Sequence, residues 1–383
     1  MQDWTPRPPN EEHRVTEQTP AQPLAHAPVE IAVIGGSGLY RLFDAGTVTS
    51  ITIDTPYGST SAPITVGERA GRRVAFLPRH GAGHTEAPHR INYRANIWAL
   101  ASLGVRAIIS SSAVGGVSPE YPPGLLVVTD QFIDRTSGRA DTFFDEGVVA
   151  HLAAADPFDP VLRRTAVAAL NALGERFAPT GTVVVIQGPR FSTRAESLWF
   201  RAAGAHIVNM TQYPEVVLAS ELGIGTVNLS FVTDADAGLA PAEPGADAAA
   251  SALEAHLPET TLTETALPGT TETDAVTAEL VFARLAAAQP RILAAIDGIL
   301  RGIPAGYAPR TLIDPELVRT VLDRPVRPVR PGQPTRLSTE TAADAETEPG
   351  TVPTPDPRPS PGPPPVPHPV PVPAPTTEPG PAR

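Results

Sequence analysis

The chain has 383 residues, with 29 Arg and no Lys, 41 acidic residues, 46 Pro, no Cys and a formal charge of −12. Without Cys there is no thiolate catalysis, Cys-ligated zinc or disulfide, and without Lys there is no Lys Schiff base and no Lys-dependent phosphate loop. The acidic balance argues against gripping nucleic acid through its phosphates, so any bound anion must be held locally by Arg, His, hydroxyls and backbone N–H groups.

Pro6, Pro8, Pro9, Pro20, Pro23 and Pro28 mark residues 1–28 as a disordered tail that cannot bury a core, and the Pro-rich residues 323–383 read the same way. The folded part is expected at about 29–322, within the size of one α/β domain. Apolar runs are short and the start lacks a basic-then-apolar leader, so a cytoplasmic protein with no membrane segment is the default expectation. Residues 30–34 form an apolar run entering Gly35-Gly36-Ser37-Gly38, which predicts a buried first strand and a tight turn. Further strand-like runs lie at 73–77, 105–110, 125–129, 182–186, 206–209 and 225–232. Helical patterns fall between several of them: one at 93–103, one opened by Asp159 as N-cap and Pro160 as first residue, and one from Pro214 to Leu222 closed by Gly223. Residues 237–274, rich in Ala, Glu, Thr and Pro, read as a low-complexity surface insertion. A last helix is carried by Leu280, Phe282, Leu285, Ile292, Ile296 and Leu300, and Pro290 should kink or divide it. The alternation predicts an α/β fold, a single domain with a central mixed β-sheet flanked by helices.

Several polar groups collect at predicted strand ends, where open α/β sheets bind ligands. Gly35-Gly36-Ser37-Gly38 lacks the third glycine of a dinucleotide loop, because Arg41 stands there, so an anion-cradling turn competes with plain turn geometry. Arg79-His80 supplies a guanidinium suited to phosphate, or else a surface Arg beside a core His. His80 and His84 lack the pattern of a zinc site, and no metal is expected. Ser110-Ser111-Ser112-Ala113, at a strand end before Gly115-Gly116, reads as an anion site or as a solvated turn. Asn209-Met210-Thr211 reads as a pocket wall or as core filler. Thr233-Asp234-Ala235-Asp236 puts two carboxylates within reach of one pocket, to accept from an amine or protonate a ring nitrogen, with a cap or turn as the bland alternative.

Longer blocks carry more information: Ile34-Gly35-Gly36-Ser37-Gly38-Leu39, Arg79-His80-Gly81, Asn92-Tyr93-Arg94-Ala95-Asn96-Ile97-Trp98-Ala99-Leu100 and Asp130-Gln131-Phe132-Ile133-Asp134-Arg135-Thr136. They are followed by Gly188-Pro189-Arg190-Phe191-Ser192-Thr193-Arg194-Ala195-Glu196, Asn209-Met210-Thr211 and Pro214-Glu215-Val216-Val217-Leu218-Ala219. In this order they resemble the trimeric purine nucleoside phosphorylases, most closely the 5′-methylthioadenosine phosphorylase branch, over about residues 30–236 with a looser helical match near 275–300.

The resemblance implies that Ser37, Arg79, His80, Ser112 and Thr211 bind phosphate and that Ala113 and Met210 line the ribose, with Asn209 in the nucleoside site. Phe191 would pack on the purine, and Ser192, Thr233, Asp234 and Asp236 would surround the base edge. His151 would reach the 5′ end of the sugar in a neighbouring subunit of a homotrimer. The implied reaction is phosphorolysis of an adenine nucleoside with inorganic phosphate as co-substrate and no metal or organic cofactor. Asp234, Asp236 and His80 are the implied catalytic groups, with a protonated Asp234 the chosen acid at N7. Ser37 and Ser112 stand where the family commonly has Thr, and the insertion after Ala237 replaces a shorter family segment beside the 5′ pocket. A carboxylate at 234, where the 6-oxopurine enzymes commonly carry Asn, favours adenine. The alternatives are a 6-oxopurine nucleoside phosphorylase and a non-catalytic nucleoside-binding protein whose Pro-rich tail recruits a partner. A nicotinamide oxidoreductase fits least well.

Overall fold

The computed structural model describes residues 28–43, 48–238 and 277–326. The expected tails, apart from Pro28 and 323–326, and the expected insertion, apart from 237–238, lie outside the described residues.

Strands β1 (Ile31–Gly35), β2 (Thr49–Ile51), β3 (Ile64–Arg69), β4 (Arg72–Pro78), β5 (Ala107–Gly116), β6 (Leu126–Val128), β7 (Gln131–Arg135), β8 (Phe177–Ala178), β9 (Thr182–Ile186), β10 (Ile207–Asn209) and β11 (Gly225–Ala235) build one sheet. Its order is β2-β3-β4-β1-β5-β10-β9-β7, with β11 against β5 and β6, and β8 against β6. The pairing is mixed: β1 runs parallel to β4 and β5, whereas β3 is antiparallel to β2 and β4. The helices are α1 (Tyr93–Ser102), α2 (Pro160–Leu173), α3 (Arg194–Ala202), α4 (Gln212–Glu221), α5 (Ala278–Gly302) and α6 (Pro315–Leu322), with a 3-10 turn at Asp236–Gly238. Among the described residues no helix is long and apolar enough to cross a membrane.

The inner strands are buried on both faces, which is why they read as continuous apolar runs. Successive side chains of a strand point to opposite faces, so β1 divides its residues between two cores. Ala32 and Ile34 join Ala75, Leu77 and Ile108 with α1 and α4 on one side. Ile31 and Val33 join Val74, Phe76 and Ile109 with α2 and α5 on the other. Asp159 caps α2 by accepting from the N–H groups of Val161 and Leu162, and Gly174 closes it at φ 66°.

Each predicted strand run forms a strand. One local expectation is corrected and one is narrowed. Ser110, Ser111 and Ser112 do not lie in a turn at the end of β5 but in its interior, because the strand continues to Gly116 and is flanked along its length by β11. Pro290 does not divide the last helix: α5 runs through it unbroken, held by Ala288, Ile292, Ala295, Ile296 and Ile299 in the core shared with α2. Tertiary packing there outweighs the local proline penalty.

Candidate active site

β5 decides where the site lies. Its first half is parallel to β1 and β11, and its last residues pair antiparallel with β10, so the ends of β1, β10 and β11 converge on its second half. A cavity of about 260 Å³ opens there. It is lined by Ser37, Arg79, His80, Ser112, Ala113, Phe191, Ser192, Asn209, Met210, Thr211, Thr233, Asp234 and Asp236, which are the expected site residues apart from His151. His151 is exposed and outside this lining.

One end of the cavity is built from donors. Gly36 lets the β1 turn approach β5 and Arg79, since a Cβ there would lie 2.4 Å from the Ser111 carbonyl oxygen and 2.9 Å from Nη1 of Arg79. The Gly36 N–H donates to Ser111 Oγ at 3.2 Å. Arg79 donates from Nε and Nη2 to the two carboxylate oxygens of Glu215, at 2.6 and 2.7 Å, and from Nη1 to the Ser111 carbonyl at 2.9 Å. The Nε/Nη2 edge is therefore held by Glu215, and of five guanidinium N–H groups one on each of Nη1 and Nη2 stays free of these bonds. His80 Nδ1 lies 2.8 Å from the Glu86 carbonyl, which assigns the proton to Nδ1 and leaves Nε2 an acceptor. Burial, followed by the charge of Arg79, lowers the His80 pKa to about 4, so at neutral pH this ring is not a cation. Asn209 Oδ1 accepts from the Thr211 and Gln212 N–H groups at 2.9 and 3.0 Å, and its Nδ2 donates to Thr211 Oγ1 at 3.3 Å.

The other end is acidic. β11 carries an irregularity between Val232 and Asp234, and the extra residue lets the consecutive side chains of Thr233 and Asp234 both line the cavity, which strict alternation forbids. Thr233 Oγ1 lies 2.6 Å from Asp234 Oδ2, and Arg284 of α5 donates to the Thr233 carbonyl. Burial pushes the Asp234 pKa up to about 6, opposed by the Thr233 hydroxyl and helped by Asp236. Burial also raises Asp236, against the hydrogen bond that Ser197 of α3 donates to it. Thr193 and Glu196 form a capping box at the start of α3, so Ser197 arrives on a fixed turn. Gly115 sits against the pair: a Cβ there would lie 3.0 Å from Asp236 Cβ and 3.1 Å from Asp234 Oδ1.

Sequence reasoning did not assign a site role to Glu215, or place His84, Pro88, Val281 and Phe282 in the lining. His84 sits between Tyr40, whose hydroxyl is 3.1 Å from its Nδ1, and Phe282, whose ring meets it edge-on with centroids 5.3 Å apart. No spacing announces a contact between residues so far apart in the chain. Glu215 carried a signal, an acid inside the apolar block Pro214–Ala219, which buried helices tolerate only when paired.

A mixed α/β sheet whose strand ends enclose hydroxyls and a guanidinium at one end and a raised carboxyl pair at the other defines a protein of nucleoside phosphorylase fold. The chain belongs to the Phosphorylase superfamily, whose model matches residues 30–259. It is 56% identical over 210 residues to the S-methyl-5′-thioadenosine phosphorylase of Mycobacterium tuberculosis, covering 55% of this chain and 77% of that one. It is 53% identical over 219 residues to the purine nucleoside phosphorylase of Streptomyces coelicolor, covering 55% of this chain and 77% of that one. Among solved structures it is similar to methylthioadenosine phosphorylase from Schistosoma mansoni in complex with adenine, with a TM-score of 0.63 at 29% identity over 77% of this chain and 97% of that chain.

Proposed function

We propose that this chain is a cytoplasmic pentosyltransferase that cleaves 5′-methylthioadenosine, or a related adenine nucleoside, with inorganic phosphate. The observation that carries the reading is the polarity of the cavity: the hydroxyls of Ser112 and Thr211 with the guanidinium of Arg79 at one end, and the buried carboxyl pair of Asp234 and Asp236 at the other. In the reaction the C1′–N9 bond breaks with its electron pair going to the base, and a phosphate oxygen bonds to C1′. Asp234 in its protonated form delivers a proton to N7, making the base a better leaving group. The proton lost by phosphate on becoming an ester returns through solvent to Asp234. Phosphate beside C1′ is both nucleophile and counter-charge to the developing oxocarbenium ion. No metal or organic cofactor is assigned a step.

The assembly proposed is a homotrimer in which His151 serves a neighbouring site. Val148 and Val149, 45% and 76% exposed, lie three and two residues before the exposed His151, which supports an interface there. Light scattering on the full chain, with His151→Ala assayed beside it, tests the assembly. The reaction is tested by incubating methylthioadenosine with and without phosphate and following adenine release. Phosphate-independent release, or none, overturns it, and faster turnover of inosine selects the 6-oxopurine alternative.

A further inference from the structure

We infer that Asn228 is a positioning residue for the anion: it occupies a lone pair of Ser112 Oγ and so turns the single hydroxyl proton of Ser112 into the cavity as a donor to phosphate. The inference rests on the reading of that end as the phosphate site and adds to it a residue outside the lining.

Asn228 and Ser230 are polar positions two apart in β11, both fully buried. In the parallel register of β11 against β5 they stand opposite Ser110 and Ser112. Asn228 Nδ2 lies 2.8 Å from Ser110 Oγ and 3.0 Å from Ser112 Oγ. The sense of these bonds decides the chemistry. A serine hydroxyl has one proton, and if the amide donates to Ser112 that proton is available to an anion. If the amide oxygen faced the serines instead, it would take the proton and leave Ser112 showing a lone pair to phosphate.

The rest of the network sets the sense. Ser230 Oγ is 2.7 Å from Asn228 Oδ1, 3.1 Å from Gln212 Nε2 and 3.1 Å from Thr129 Oγ1, which satisfies one donated and two accepted bonds. Gln212 is 1% exposed, and its Oε1 has no partner among the described residues. Reversing the Asn228 amide would set its NH₂ against Ser230 Oγ alone and leave one of its two buried N–H groups without an acceptor among the described residues, a costlier orphan than a carbonyl lone pair. The chain therefore runs from Gln212 through Ser230 and Asn228 to Ser112. Asn209 repeats the device beside it: its oxygen is tied to two backbone N–H groups, so its NH₂ must face Thr211 Oγ1. Each anion-facing hydroxyl of the pair thus has an asparagine NH₂ behind it.

The test is a double-mutant cycle on the full chain, read by calorimetric titration with inorganic phosphate alone and by KM for phosphate and nucleoside. Ser112→Ala should weaken phosphate roughly tenfold, the scale of one hydrogen bond to a charged group. Asn228→Leu should weaken it similarly, with nucleoside KM within about twofold, and should add little on the Ser112→Ala background. Fully additive losses, roughly a hundredfold in the double variant, overturn the inference, as does unchanged phosphate affinity in Asn228→Leu or in Ser112→Ala. Should Asn228→Leu fail to fold, Ser230→Ala frees the same amide by removing one hydroxyl, and its cycle with Ser112→Ala supports or overturns the inference by the same outcomes. The titration needs no nucleoside, so an additive cycle in a wild-type chain that turns over methylthioadenosine sinks the inference alone, whereas a wild-type chain without phosphorolysis sinks the proposed reaction.

Discussion

Arg79 and Glu215, 136 residues apart in sequence, close a two-pronged ion pair in which the side chains are 1% and 6% exposed. Removing either partner strands the other charge away from water. Arg79→Ala is expected to lower unfolding stability by about 3–5 kcal/mol as well as to weaken phosphate. The double change Arg79→Met with Glu215→Leu should recover most of that stability in urea titrations while phosphate binding stays lost. If the double variant binds phosphate normally, Arg79 is a structural residue only.

Asp234→Asn keeps the size of the side chain and removes the proton assigned to N7. Turnover of methylthioadenosine should drop by roughly 10² or more, and inosine should lose less, because an amide can both donate to N7 and serve a 6-keto group. In the parent, kcat/KM should decline as pH rises through about 6, where Asp234 gives up its proton. Unchanged turnover in a folded Asp234→Asn protein removes Asp234 from the mechanism.

The same two ends of the cavity act oppositely on stability. Asp234 titrates at about 6 folded against 3.8 unfolded, so between these values the native state holds the extra proton and stability falls as pH rises. His80 titrates at about 4 folded against 6.5 unfolded, so the unfolded chain holds the extra proton and stability rises with pH. Each effect is on the order of 3 kcal/mol, and they offset one another between about pH 4 and 6. Relative to the parent, Asp234→Asn should gain a rising stability profile across that window and His80→Gln a falling one. Urea midpoints at several pH values decide between these outcomes, and profiles parallel to the parent in both variants refute the assignments.

Gly115→Ala should damage the acidic end alone. Its new methyl would press on Asp236 and Asp234 at 3.0–3.1 Å, so kcat on the nucleoside should fall at least several-fold while the phosphate dissociation constant holds. Equal damage to both indicates that β5 has shifted as a whole.

The inner strands could be read from sequence because burial on two faces leaves unbroken apolar runs, as at 30–34 and 225–232. β2, β7 and β8 escaped because they are short or half exposed, and in β3 only Ile64 and Val66 face inward. Ser110, Ser111 and Ser112 misled for a physical reason: hydroxyls look like turn residues until a partner strand supplies Asn228 and the β1 turn supplies the Gly36 N–H. Asp234 and Asp236 were visible as a spaced pair, but the irregularity that puts Thr233 beside Asp234 on the same wall leaves no mark in the residue pattern. The Arg79–Glu215 pair shows why Arg79 alone was an incomplete reading, since the sequence displays the charge without its distant counter-charge.

That counter-charge also governs how the site responds to salt. Glu215 balances Arg79 and His80 is neutral near pH 7, so an anion entering this end meets oriented O–H and N–H dipoles on a surface of zero net charge. Dissolved ions screen exposed charges and leave enclosed dipoles nearly untouched. Phosphate affinity should therefore change by less than about twofold between roughly 0.05 and 0.5 M potassium chloride, where an open cluster of arginines would lose most of its grip. Titrations at the two ionic strengths test this, and a protein that passes would hold phosphate equally well in dilute and in salt-rich solution.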